Sequence, residues 1–195
     1  MLTSNPDRQS IQSLTLEDPA IPHLNVLGDA DLLDGHYVGL LCSIRCPGDV
    51  ILKSYDLARE FRKEGIPVVG GFHSPMEKEC LRLLLRGKQP VVVCPARGLE
   101  GMRIPGEWKK PLEEGRLAVV SAFDGKVRRA TRETARKRND LVAALAKVVF
   151  VAHAEPGGEI ERVATQAKRM GKPVLGFEEG ESVEETVGRI RGALG

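Results

Sequence analysis

The stretch Tyr37-Val38-Gly39-Leu40-Leu41-Cys42, followed at once by Ser43-Ile44-Arg45-Cys46-Pro47-Gly48, decides the fold. Its first half is almost unbroken apolar sequence without polar alternation. That pattern predicts a strand covered on both faces by other elements. The second half carries the Pro and Gly of a loop. The chain then enters Val50–Lys63, where Ile51, Tyr55, Ala58 and Phe61 recur at helical spacing. Strand, loop and amphipathic helix make one β-α unit.

Working outward, the same unit recurs. Further strands are expected at Pro67–Val69, Val91–Cys94, Leu117–Val120, Val148–Ala152 and Val174–Phe177. Helices are expected at Pro75–Arg86, Thr131–Ala146, Glu159–Met170 and Ser182–Leu194. Ser74-Pro75 with Glu77 has the form of an N-cap, a first-turn proline and a capping-box acid. Gly65, Gly87 and Gly171 fall where helices should stop, each shortly before a proline and the next strand. The series predicts an α/β, Rossmann-like three-layer sandwich with a mainly parallel central sheet. Residues 1–30 are polar and broken by Pro6, Pro19 and Pro22, so an irregular N-terminal arm is expected there, with residues 31–195 forming the domain.

Composition narrows the functional classes. The chain has 195 residues, 42 % hydrophobic and 29 % charged, which suits a single globular domain and excludes a disordered one. Its longest apolar runs are far too short to cross a bilayer, and Met1–Ser10 lacks the apolar core of a secretory signal. A cytoplasmic protein that meets no membrane is therefore expected. The four cysteines (Cys42, Cys46, Cys80, Cys94) read as free thiols, and their spacing is not that of a zinc knuckle. No metal, cofactor or catalytic residue is expected.

The net charge is only +2, yet it is unevenly spread. Lys126, Arg128, Arg129, Arg132, Arg136, Lys137 and Arg138 cluster against Glu133 alone, while Glu178, Glu179, Glu181, Glu184 and Glu185 reverse the sign near the C-terminus. Such a concentrated basic segment points to a local anion site.

Ligands of an open parallel sheet bind beyond the carboxyl ends of the strands. That rule selects the loops holding Ser43 and Arg45, then Gly71, His73 and Ser74, then Arg97 and Gly98, and finally Gly157, Gly158 and Glu159. Together they offer hydroxyls, arginines, histidines and glycine amides, all donors suited to phosphate oxygens. Gly157-Gly158 opening a helix would let backbone amides approach an anion, and it is equally compatible with a plain tight turn. No Walker loop and no full dinucleotide fingerprint is present.

Arg129, Arg132 and Arg136 fall on one helical stripe, which by itself reads as a solvated face. Arg138-Asn139 differs, because the helix soon turns wholly apolar at Leu141–Leu145. A charge there requires a partner, either a bound phosphate or an internal carboxylate. No nucleophile elbow or Ser-His-Asp pattern appears, so His73 reads as a ligand contact or a surface residue in preference to a catalyst.

Several segments in this order resemble the DNA-processing protein A family, within the superfamily that includes the lonely-guy nucleotide hydrolases. Asp18-Pro19-Ala20 with Val26-Leu27-Gly28-Asp29 and Leu32-Leu33 is similar to that family's lead-in. Tyr37–Arg45 resembles its first strand and G-S-R loop, and Val91–Pro105 its V-x-G-x-G-L-D-x-x-Y-P stretch. Arg138-Asn139-Asp140-Leu141-Val142-Ala143-Ala144-Leu145 resembles its R-N-R-I-I-A-x-L helix, after which Val149-Phe150-Val151, Gly157-Gly158 and Gly171-Lys172-Pro173-Val174 follow in register. The family's S-G-x-A-x-G-I-D loop is replaced by Gly70–Glu77, and its S-G-S-L loop by Gly157-Gly158-Glu159-Ile160.

The resemblance implies a cytoplasmic, homodimeric Rossmann-like protein that binds single-stranded DNA or a nucleotide without catalysis, in DNA processing and with a recombination protein as a further partner. The ligand would be held by Ser43, Arg45, Arg97, Arg138, Asn139, Gly157 and Gly158, with Gly71, His73, Ser74, Gly98 and Glu159 completing the pocket. Two alternatives stand beside it. One is N-glycosidic hydrolysis of a nucleotide through Glu159 or Glu161, with Arg138 on the phosphate. The other is a small-ligand sensor whose pocket has lost its ancestral role.

Overall fold

The computed structural model describes residues 10–15 and 23–195. Asp18-Pro19-Ala20, Pro6 and Pro22 lie outside the described residues. Among the described residues, the strands are β1 (Ile11–Thr15), β2 (His23–Gly28), β3 (Tyr37–Cys42), β4 (Val68–Gly70), β5 (Val91–Val93), β6 (Leu117–Ser121), β7 (Ala146–His153) and β8 (Val174–Leu175). The helices are α1 (Gly48–Glu64), α2 (Pro75–Leu84), α3 (Gly106–Glu113), α4 (Arg132–Leu145), α5 (Glu159–Arg169) and α6 (Val183–Leu194). The strands form one sheet in the order β1-β2-β6-β5-β4-β3-β7-β8. From β6 to β8 every pairing is parallel, and β1 and β2 add antiparallel at one side. This is the Rossmann-like α/β architecture that the repeated β-α units imply.

The unbroken apolar strands are explained by helices on both faces. Val38, Leu40 and Cys42 of β3 pack with Leu57 and Phe61 of α1, Leu84 of α2 and Ile190 of α6. Tyr37 and Leu41 of the same strand point the other way, toward Leu141 and Val142 of α4 and Val163 of α5. Gly39 makes room for the turn from α4 into β7, since a Cβ there would lie 2.8 Å from the Ala146 side chain and 3.5 Å from that of Val142.

Three details depart from the sequence expectation. The lead-in to position 30 is not irregular throughout, because β1 and β2 lie within it. Leu24 and Val26 point into the core, and β2 zips onto β6, covering what would otherwise be an exposed sheet edge. Gly65 and Gly171 take the left-handed conformation expected after a helix, whereas Gly87 does not, because α2 has already ended at Leu84 with Leu85 as its cap. Thr131 caps α4 with its side chain, so Arg129 lies outside the helix and the basic stripe reduces to Arg132 and Arg136.

Candidate functional site

The chain runs β3, β4, β5, β6 in one direction across the sheet and then returns to place β7 on the far side of β3. The order of the sheet therefore reverses between β3 and β7, and a crevice opens beyond their carboxyl ends. Two hydrogen bonds fasten its floor. Ser43 N–H donates to the His153 carbonyl, and Glu155 N–H donates to Ser43 Oγ, both at 2.9 Å. Over this floor lies a cleft of about 360 Å³ lined by Cys42, Ser43, Ile44, His73, Arg132, Ala135, Arg136, Arg138, Asn139, Glu155, Gly158, Glu159 and Ile160.

Six of the expected site residues thus meet in one place: Ser43, His73, Arg138, Asn139, Gly158 and Glu159. Arg45 stands at the rim, 87 % exposed and 3.6 Å from the Glu155 carboxylate. Gly157 lies just outside, in a neighbouring groove bounded by Arg136, Glu161, Arg162 and Arg169. Gly71, Ser74, Arg97 and Gly98 do not line the cleft, and each has a structural task. A Cβ on Gly71 would sit 2.3 Å from Arg138 Nη1, so this glycine makes room for the buried guanidinium. Ser74 is buried and caps α2 through the expected capping box, accepting from Glu77 N–H at 3.2 Å. The Arg97 carbonyl accepts from Ser121 Oγ at 2.7 Å, and Gly98 N–H donates to the Val127 carbonyl at 2.9 Å. Those contacts tie the β5 loop to β6 and to the loop before α4.

Arg138 is the largest of the fully buried side chains, at 2 % exposure. Its Nε donates to Asn139 Oδ1 at 2.8 Å, and its Nη2 lies 3.2 Å from His73 Nδ1. Burial lowers the guanidinium's pKa from its ordinary value, opposed by the charge of nearby Glu77. Glu77 itself is 2 % exposed. One of its oxygens accepts from His73 N–H at 3.2 Å and Ser74 N–H at 3.0 Å, and lies 3.1 Å from His73 Nδ1. Burial pushes this carboxyl up, but the His73 and Ser74 hydrogen bonds and the Arg138 charge outweigh it and hold it below the usual carboxylate range. The partner that Arg138 requires is therefore internal, an imidazole backed by a carboxylate.

The glycine amides are also engaged within the chain. Gly157 N–H donates to the Glu161 carboxylate at 2.7 Å, and Gly158 N–H to the Glu155 carbonyl at 2.9 Å. Glu159 accepts from Arg162 Nε at 2.9 Å, and Arg162 reaches across to Asp140 of α4 at 2.6 Å. Neither carboxylate that glycosidic chemistry would use is free of an internal donor. By contrast, Arg132 and Arg136 are exposed and have no ion-pair partner among the described residues. They were not among the residues expected to hold the ligand, although Arg132, Arg136 and Asn139 share one helical face, a spacing that could have found them.

A family model described as DNA recombination-mediator protein A matches residues 7–189. Among solved structures, DNA processing protein A from Helicobacter pylori, whose report concerns its single-stranded DNA binding mode, is 20 % identical with a TM-score of 0.69. That match covers 94 % of this chain and 89 % of the other. DNA processing protein A from Streptococcus pneumoniae is 16 % identical with a TM-score of 0.70, covering 95 % of this chain and 70 % of the other. A molybdenum cofactor binding protein from Rippkaea orientalis shares the fold at 10 % identity and a TM-score of 0.59, over 82 % of this chain and 98 % of its own. A search of curated proteins returned no match.

Proposed function

The chain belongs to the DNA recombination-mediator protein A family, and from that membership we propose that its β3/β7 cleft binds the phosphate backbone of single-stranded DNA without breaking a bond. The observation that carries this reading is the charge balance at the mouth. Glu155 and Glu159, the carboxylates lining the cleft, are each paired within the chain, so Arg132 and Arg136 define the local potential. Two guanidiniums four residues apart lie on one face of the helix, and each offers a fork of donors suited to phosphate oxygens. Only 4 % of the residues are aromatic, so backbone contacts dominate over base stacking and sequence preference is slight.

The same reading takes the protein to be cytoplasmic and homodimeric, delivering the bound strand to a recombination protein. Among the described residues no helix is long and apolar enough to cross a membrane. The four cysteines are free, as a reducing compartment would keep them.

The test is fluorescence anisotropy of a labelled oligothymidylate across a salt series. Affinity falls steeply with salt. Arg132→Ala with Arg136→Ala flattens the slope by roughly 0.7 for each phosphate of the single strand that the variant no longer neutralises. Binding that stays flat from low to high salt refutes the nucleic-acid reading and leaves a free nucleotide as the ligand.

A further inference from the structure

His73, expected to help complete the pocket, stands on the loop Gly70–Glu77, which departs from the family's own loop. The preceding residue, Phe72, has φ of 44°, a left-handed conformation that costs energy for a bulky side chain. Burial of the Phe72 ring holds it there: the residue is 5 % exposed, and its ring lies so closely over Gly70 that a Cβ at that glycine would meet it at 2.9 Å. The strained turn sets the His73 backbone N–H and Nδ1 on the same Glu77 oxygen, at 3.2 and 3.1 Å. The other ring nitrogen, Nε2, has no hydrogen-bond partner among the described residues, and the side chain is 42 % exposed and lines the cleft.

Nδ1 faces two incompatible neighbours. A carboxylate can only accept from it, while the Arg138 Nη2 at 3.2 Å can only donate to it. A proton on Nδ1 satisfies Glu77 but brings the ring's hydrogen against the Arg138 cation. In the unliganded cleft these demands oppose each other. An anion at Nε2 offsets the Arg138 charge, and its oxygen needs a donor. The imidazolium then donates from both nitrogens at once, to Glu77 and to the ligand.

We propose that His73, oriented by Glu77, is a phosphate-contacting residue of this cleft and that a phosphodiester of the bound strand is captured together with a proton. This rests on the single-stranded DNA reading above and adds to it a specific contact and a proton linkage. The titratable and charged groups facing the ring are Glu77 of α2, Arg138 of α4, and across the cleft Arg132, Arg136, Glu155 and Glu159. The two exposed arginines reinforce anion binding.

The experiment is titration calorimetry of the full chain with an oligothymidylate lacking a terminal phosphate, so that the ligand itself takes up no proton near neutrality. Measurements at one mildly alkaline pH in buffers of different ionisation enthalpy give the protons bound on association. The wild type takes up a sizeable fraction of one proton. In His73→Asn that uptake disappears, and affinity under mildly acidic conditions drops roughly tenfold, as loss of one charge-assisted hydrogen bond predicts. Glu77→Gln, which keeps an acceptor for the cap, reduces the uptake because the buried charge that favours the imidazolium is gone. Binding by the wild type without proton uptake overturns the proposal and leaves the DNA reading intact. Equal uptake in His73→Asn also overturns it, by placing the proton on another group. No binding at all overturns both readings. The wild-type measurement stands even if a variant folds poorly.

Discussion

Arg138→Ala tests whether the most buried cation of the site serves the ligand or the fold. The guanidinium is 2 % exposed, its Nε is bonded to Asn139, and its Nη1 lies over the bare backbone of Gly71. Alanine removes that hydrogen bond, empties the space above Gly71, and leaves the 2 % exposed Glu77 carboxylate without the nearby guanidinium charge. Breaking a buried charge arrangement from one side costs about 3–5 kcal/mol, because the remaining charge is left uncompensated. For a domain of this size each kcal/mol moves the melting temperature by about 2–4 °C, so a fall of roughly 6–20 °C follows. Differential scanning calorimetry on the folded variant, beside oligothymidylate anisotropy on the same preparation, reads both properties. The expected result is a large loss of stability with affinity of the folded fraction reduced less than in Arg132→Ala. Arg138→Met, which fills much of the space without the charge, recovers part of the stability. A variant that melts with the wild type yet no longer binds DNA refutes the reasoning and makes Arg138 a direct phosphate clamp.

Gly71→Ala forces a Cβ to within 2.3 Å of Arg138 Nη1 and costs about 1–3 kcal/mol by overpacking, measured by urea unfolding; an unchanged midpoint would show that Arg138 moves aside freely. Lys172→Met removes three donations from Nζ to the carbonyls of Ala143, Ala144 and Ala146, at 2.6–2.8 Å, from the end of α4. A loss of about 1.5–3 kcal/mol is expected in the same assay. Glu77 is held below its ordinary range in the folded state, so it adds stability above the unfolded carboxyl's titration, and that stability is lost as pH falls through the lower, folded value. The stability gap between wild type and Glu77→Gln therefore narrows in acid, as urea midpoints across an acidic pH series would record.

The strands were readable where burial on both faces left no alternation to misinterpret. Tyr37–Cys42 matches its expected span residue for residue, and the neighbouring strands differ only at their ends. Strand β2 was harder because the alternation of His23, Leu24, Asn25 and Val26 is brief and follows several prolines; its pairing partner, β6, is also remote in sequence. Helix α3 was missed for a similar reason. It begins just after Pro105 with Gly106 and carries Pro111 in its second turn, residues that read locally as breakers.

The site shows a different limit. Residue patterns name every strand-end loop with equal weight, and only the order of the sheet singles out the crevice between β3 and β7. Arg97-Gly98 follows a strand just as Ser43 does, but two strands lie between β5 and the crevice edge at β7. The division of labour among the arginines was, however, already present in helical phase. Residues 132, 136 and 139 share a face, whereas Arg138 is turned by about 200° from Arg136 at 3.6 residues per turn. Arg138 stands three and four residues before Leu141 and Val142, both buried, and so points with them toward the core. Had the basic segment been phased against that apolar run, the exposed pair would have been assigned to the ligand and the buried one to the scaffold. A cation on the apolar face of a helix is a packing element with a charge to satisfy, and here the satisfying group is the Glu77-backed imidazole that meets the cleft.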